Sequence, residues 1–251
     1  MRKVLLALQF LTILPVKARV INDKELGRAL IYFPFVGLLI SLFLLGLNSF
    51  LKVFNLEGFA LNTILVVFLT GLNGGLHLDG LSDTFDGLLS VKVREEKLKI
   101  MRDPHIGAMG VISIICVLLL KIAFLTAVSQ SLKPAAIILM CVISRWSMVY
   151  SIYSFPYARQ DGKAKVFIDN INKNIFILAT LVSAVFVYSA WQINGLLILA
   201  IAGGGANLFS NFITRKIGGI TGDTLGALNE LSEVFILLLI CIMERSYLWK
   251  I

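Results

Sequence analysis

Residues 29–54 read Ala-Leu-Ile-Tyr-Phe-Pro-Phe-Val-Gly-Leu-Leu-Ile-Ser-Leu-Phe-Leu-Leu-Gly-Leu-Asn-Ser-Phe-Leu-Lys-Val-Phe, with Lys52 the single charged side chain. A helix needs about 20 mainly apolar residues to cross the hydrocarbon core of a bilayer, and this run exceeds that length. Similar runs follow at 59–76, 106–128, 134–153, 175–190, 193–212 and 225–243. The fold these runs predict is all-α: a polytopic transmembrane helical bundle of about six to eight membrane helices, with residues 1–251 forming one integral membrane domain. The run at 175–190 is short, and Gly203-Gly204-Gly205 suggests close packing or a break.

Composition agrees with that fold. The 251-residue chain is 58% hydrophobic, with a mean hydropathy of +0.88, whereas soluble domains hold roughly 45–50% apolar residues. The net charge of +8 would suggest nucleic acid in a soluble protein, but here basic residues holding topology explain it, so no nucleic acid partner is expected. Cys116, Cys141 and Cys241 lie singly in apolar runs and form neither a disulfide framework nor a metal site. The opening Met1-Arg2-Lys3 and the apolar stretch 4–16 imitate a signal peptide, yet Pro15, Lys17 and Arg19 replace a small-residue cleavage site. The stretch reads as a retained interfacial or half-spanning helix.

The connections alternate in character. The segments 91–102 and 157–174 and the turn with Arg215 and Lys216 are basic, whereas those near Asn55, Ser129 and Gln192 are short and nearly uncharged. The positive-inside rule puts the basic loops together on the cytoplasmic side. Trp249 falls where an aromatic boundary anchor is expected.

Seven of the fifteen acidic residues fall in three pieces that this topology brings to one face. In the first, Gly-Gly-Leu-His-Leu-Asp-Gly-Leu-Ser-Asp-Thr-Phe-Asp-Gly at 74–87, Asp79, Asp83 and Asp86 share one helix face at i, i+4 and i+7. Like charges stacked this way need a cation or proton between them, and carboxylate oxygens suit Mg²⁺, Mn²⁺ or Ca²⁺. The bland alternative is a solvated acidic helix end, but the flanks are apolar and Gly-rich. In the second piece, 218–233, Asp223, Glu230 and Glu233 recur near helical spacing beside Asn229, a neutral oxygen ligand or hydrogen-bond partner. Capping by Thr221 or Asp223 explains part of it, though not Glu233. The third, Met-Arg-Asp-Pro-His-Ile-Gly at 101–107, places Asp103 at a helix start.

Arg102, Arg145, Arg159 and Arg215 suit phosphate groups. Arg145 lies within an apolar span and should face the interior, where a structural pairing with a carboxylate is as good a reading as a substrate role. His77 and His105 are candidate ligands or acid–base groups, but one histidine per cluster and no cysteine partner make a zinc site a poor fit. Gly71 with Gly75, and Gly222 with Gly226, have the small-xxx-small spacing of close helix packing.

These motifs, in this order and with Leu-Gln-Phe-Leu-Thr-Ile-Leu-Pro at 8–15, resemble the cobalamin synthase family (adenosylcobinamide-GDP ribazoletransferase, cobalamin 5′-phosphate synthase) along the whole chain. The resemblance implies a Mg²⁺-dependent transferase that joins adenosylcobinamide-GDP to α-ribazole, or to its 5′-phosphate. The products would be adenosylcobalamin or its 5′-phosphate, and GMP. It implies an inner-membrane, multi-pass protein in contact with lipid, its active site facing the cytoplasm, with a homo-oligomer left open. Asp79, Asp83 and Asp86 are then the expected catalytic residues. Those three with Asp223 and Glu230 are the expected metal set, and His77, Arg102, Asp103, Arg145, Arg159, Arg215 and Asn229 the expected substrate contacts. The base is Asp83 or Asp86.

Two rival readings remain. A cation or substrate transporter also buries carboxylates, but usually near the midplane on broken helices in paired repeats, and no repeat is visible. A CDP-alcohol phosphotransferase builds a metal site from helix-borne aspartates too, but Asp79-Gly80 is not followed by that family's pattern.

Overall fold

The computed structural model describes residues 2–16 and 22–245. Lys17, Arg19 and Trp249, on which parts of the reading above rest, lie outside the described residues.

The first helix, α1 (Arg2–Leu11), buries Leu6, Ala7 and Leu11. Its ten residues extend about 15 Å, too short to cross a roughly 30 Å hydrocarbon core. Asn22 caps α2 (Asp23–Ala29), its side chain accepting a bond from Glu25 N at 3.1 Å. A short 3-10 turn, Leu30–Tyr32, leads into α3 (Phe33–Val53), which has proline in its first turn, where a missing N–H costs nothing. α3 ends at a turn in which Asn55 has φ 57°.

The run predicted at 59–76 does not continue straight. α4 (Gly58–Leu72) stops, and α5 (Leu76–Leu89) departs at 88°. The corner residues Gly74 and Gly75 have φ of 60° and 69°, a left-handed backbone that glycine adopts without a Cβ penalty. Gly75 therefore makes a corner, and neither Gly71 nor Gly75 has a neighbour against which a Cβ would press. Periodicity in apolar character cannot register such a corner, because both arms remain apolar.

After α6 (Arg94–Ile100) and α7 (Ala108–Ala127), α8 (Lys133–Ser154) runs through the centre, packed on α3 and on the later α10 (Lys173–Ile217) and α11 (Gly222–Arg245). A short helix, α9 (Lys165–Asn170), packs on α2, where Gly27 approaches Asn170. α10 is not continuous. Trp191 and Gln192 are non-helical, and a Cβ on Gly195 would stand 2.1 Å from the carbonyl oxygen of Val187. Residues eight apart in a straight helix are about 12 Å apart, so the chain doubles back there. The predicted runs 175–190 and 193–212 are the two arms of this reversal. Gly203 and Gly205 make no break; they admit the rings of Trp146 and Phe235.

Among the described residues, five helices are long and apolar enough to cross a membrane, or six when α4 and α5 count as one bent span. The all-α membrane bundle stands; five spans fall just short of the predicted six to eight, and six reach its lower end. The basic loops also meet at one end. Ala158 N donates to Ile220 O (2.9 Å) and Ile220 N to Pro156 O (2.8 Å). Arg94 donates to Ala158 O at 3.1 Å, and Arg102 pairs with Asp161 at 2.6 Å. Lys97 reaches the last carbonyls of α5, Leu88 O among them at 3.0 Å.

Candidate active site

Two glycines set how closely the acidic helices approach. A Cβ on Gly80 of α5 would lie 2.7 Å from Asp223 O, and one on Gly226 of α11 would lie 3.2 Å from the Cα of His77. The helices cross backbone to backbone, which bulkier residues would prevent. Asp223 is thereby carried to the face of α5 that holds Asp79 and Asp83. The electrostatic neighbours of Asp83 are the carboxylates of Asp79, Asp223 and Asp86, with Arg159 the opposing cation.

The aspartates do not all do the same thing. Asp86 accepts Gly107 N on Oδ2 and Gly110 N on Oδ1, both at 2.8 Å. It ties α5 to the start of α7, where the first N–H groups of a helix lack partners. Asp223 pairs with Arg159 Nη2 at 2.8 Å. Capping falls to Thr221, whose Oγ1 accepts from Thr224 N at 3.2 Å while its own N–H reaches Thr224 Oγ1. Among the described residues no hydrogen bond or ion pair engages the side chains of Asp79 and Asp83.

Two cavities open at this end. The larger, about 610 Å³, is lined by Asp79, His77, Arg159, Lys163, Tyr157 and Asp223, and by the apolar Leu6, Phe10, Leu26, Leu76, Met148 and Leu225. The smaller, about 240 Å³, is lined by Asp79, Ser82, Asp83, Arg102, Asp103 and His105. Asp79 borders both. In the loop before α7, Asp103 Oδ1 accepts His105 N at 2.9 Å and lies 2.7 Å from His105 Nδ1. These bonds, that from the backbone first, hold its carboxyl below the usual carboxylate range.

Several expected site residues fall elsewhere. Glu230 is not among the cavity carboxylates: it pairs with Lys121 of α7 at 2.6 Å and is almost wholly buried. Lys121 also reaches Glu233, whose other oxygen meets Arg145 Nη1 at 2.5 Å. Arg145 is therefore a structural partner, fully buried, and it borders neither cavity. Asn229 bonds Glu233 at 3.2 Å in the same interior network and is no substrate contact as placed. Arg215 is exposed and outside both cavities. His77 does line the larger one, its Nε2 buried without a partner. Among the described residues, no three His, Cys, Asp or Glu side chains stand together as a ready-made metal cage.

The residue that sequence reading missed is Lys121, a lone lysine in an apolar run. A charge inside a span is costly and marks a partner, and that was the available signal for its pairing with Glu230 and Glu233. Lys163 and the apolar wall from α1 and α2 carried no signal, since only the fold brings them to the cavity.

The sequence matches the cobalamin-5-phosphate synthase family over residues 3–241. The chain belongs to that family. Proteins named adenosylcobinamide-GDP ribazoletransferase are similar to it along nearly all of their length. The one from Desulforamulus reducens is 38% identical over 240 residues, 96% of each chain. That from Fusobacterium nucleatum is 36% identical over 99% of this chain and all of its own, and that from Roseiflexus sp. 39% over 91% and 85%. No solved structure matches. The transporter and CDP-alcohol phosphotransferase readings give way to membership of the cobalamin-5-phosphate synthase family.

Proposed function

We propose that this protein is an adenosylcobinamide-GDP ribazoletransferase. It joins adenosylcobinamide-GDP to α-ribazole or its 5′-phosphate and releases GMP, the last assembly step of cobalamin biosynthesis. The observation that carries the chemistry is Asp79, an unpaired aspartate on the border of two cavities. A transfer between two substrates requires two subsites that meet at the reacting phosphorus.

The ribose 3′-oxygen attacks the phosphorus next to cobinamide, the bond from that phosphorus to the GMP oxygen breaks, and the hydroxyl proton passes to an aspartate. Asp86 has both oxygens engaged by backbone N–H groups. Of the two free aspartates, Asp83 lines only the smaller cavity, so the acceptor within reach of both cavities is Asp79 rather than the Asp83 or Asp86 expected from sequence. Such transfers depend mainly on positioning and on neutralising phosphate charge. Arg159 in one cavity and Arg102 in the other supply cationic groups.

The donor set suits Mg²⁺, which is usually bound by one or two carboxylates plus substrate phosphates, so a complete protein cage is not required. Asp83 and Asp223 would hold it. Bound there, it would neutralise charge on the transferring phosphate. The basic loops that frame the cavities support a cytoplasmic site in the inner membrane, and exposed apolar residues such as Ile112, Ile115 and Leu119 on α7 suit lipid contact.

The test is GMP release by the purified protein given adenosylcobinamide-GDP, α-ribazole and Mg²⁺. Turnover that stops with EDTA and returns with Mg²⁺ supports the proposal. Absence of GMP from folded protein under every metal condition overturns it.

A further inference from the structure

Resting on the transferase reading, we infer that the two cavities divide the substrates. The larger binds α-ribazole 5′-phosphate, its base on the wall built by α1 and α2 and its 5′-phosphate at Arg159 and Lys163, while the smaller receives the departing GMP phosphate.

The larger cavity is amphipathic in a way that matches one molecule. Leu6, Phe10, Leu26, Met148 and Leu225 form an apolar side, and Arg159 and Lys163 a cationic one, with Asp79 and Asp223 close by. A dimethylated benzimidazole is flat and apolar, its ribose is polar, and its 5′-phosphate is anionic. The wall is held in place from behind: Phe10 stacks edge-on against Phe167 at 4.6 Å and lies 5.9 Å from Phe33, so the surface is formed before ligand arrives. Arg159 is short of partners. Its Nε is buried and makes no hydrogen bond, while Nη2 lies 2.8 Å from Asp223. Buried donors of this kind favour an acceptor that arrives with the ligand.

The smaller cavity offers no apolar wall of that size. A volume of about 240 Å³ with Asp79, Asp83, Asp103, Arg102 and His105 around it suits a phosphate with a cation. A corrin ring with its adenosyl group is too bulky to be enclosed by either cavity, so it stays at the opening. Attacking and leaving oxygens sit roughly in line across the phosphorus, and two cavities that share Asp79 in their linings offer a place for each. α1 and α2 are thus part of the nucleotide site.

Steady-state kinetics on full-length protein in detergent or nanodiscs test the division. Lys163→Gln is expected to raise KM for α-ribazole 5′-phosphate about tenfold, one charge-assisted contact, while KM for α-ribazole and for adenosylcobinamide-GDP moves less than about twofold. Leu26→Trp, which narrows the wall, is expected to raise KM for both ribazole forms and leave that for adenosylcobinamide-GDP unchanged. Leu26→Ala is expected to broaden acceptance toward bulkier bases, a readout that survives if the Trp variant does not fold. The division is overturned if Lys163→Gln affects both ribazole forms equally, or if the Leu26 variants move KM for adenosylcobinamide-GDP alone. An acyl chain occupying the wall would leave ribazole kinetics unchanged in every Leu26 variant, which also overturns it. If wild-type protein releases no GMP, it is the transferase reading that fails, an outcome distinct from any of these.

Discussion

Arg159 Nη2 lies 2.8 Å from Asp223 Oδ2, joining the loop before α9 to the first turn of α11 at the edge of the larger cavity. The pair is mostly shielded from solvent, with side-chain exposures of 11% and 24%, so screening weakens it less than a surface pair. Each partner sets the other's position. Arg159→Ala and Asp223→Asn are each expected to lower kcat/KM for GMP formation by about 10²-fold, and the double variant to be little worse than the poorer single, as for groups acting as a unit. Additive losses would show that the two residues act separately.

Among the described residues the carboxyls of Asp79 and Asp83 have no protein partner, an arrangement suited to function at a cost in stability. Asp79→Asn and Asp83→Asn are expected to cut turnover by about 10²–10⁴-fold while the thermal midpoint stays level or rises. Differential scanning fluorimetry beside the GMP assay checks both halves. Lost activity with an equally large loss of stability would move these residues from chemistry to structure.

Asp86 should behave oppositely. Its two oxygens take the N–H groups of Gly107 and Gly110, and an amide can accept only one such bond while placing a donor against the other. Asp86→Asn is expected to destabilise by about 1–2 kcal/mol, the scale of a lost helix cap, and to lose activity in proportion. A midpoint unchanged from wild type with activity abolished would return Asp86 to the catalytic set.

The bundle was legible because each span carries its own signal: an apolar run long enough for a bilayer, closed by charged or short polar connections. The convergence of Asp79, Asp83 and Asp223 was legible for a related reason, since charge placement fixed which loops share an end and helical spacing fixed the shared face. Glu230 was misplaced by the same logic. It follows Asp223 by nearly two turns, yet two turns along α11 carry a side chain from the cavity into the interior, to Lys121, whose place in an apolar run was the signal that went unread. The corner at Gly74-Gly75 was hidden by apolar residues on both sides, and the larger cavity's wall depends on α1, α2 and α8 meeting, which is a property of packing alone.

The interior network offers the sharpest stability test. Lys121 and Arg145 face Glu230 and Glu233 with almost no solvent exposure, so two positive and two negative side chains balance within α7, α8 and α11. Removing one partner from such a set strands a buried charge, at about 3–5 kcal/mol, whereas replacing a whole pair by neutral groups is nearly free. Lys121→Met is therefore expected to lower the thermal midpoint sharply. Lys121→Met with Glu230→Gln is expected to recover most of that loss, since Arg145 and Glu233 remain paired at 2.5 Å. The two removed residues border neither cavity, so the double variant should also regain GMP release along with its fold. A double variant as unstable as the sum of its singles would mean that Lys121 and Glu230 are not neutralising each other.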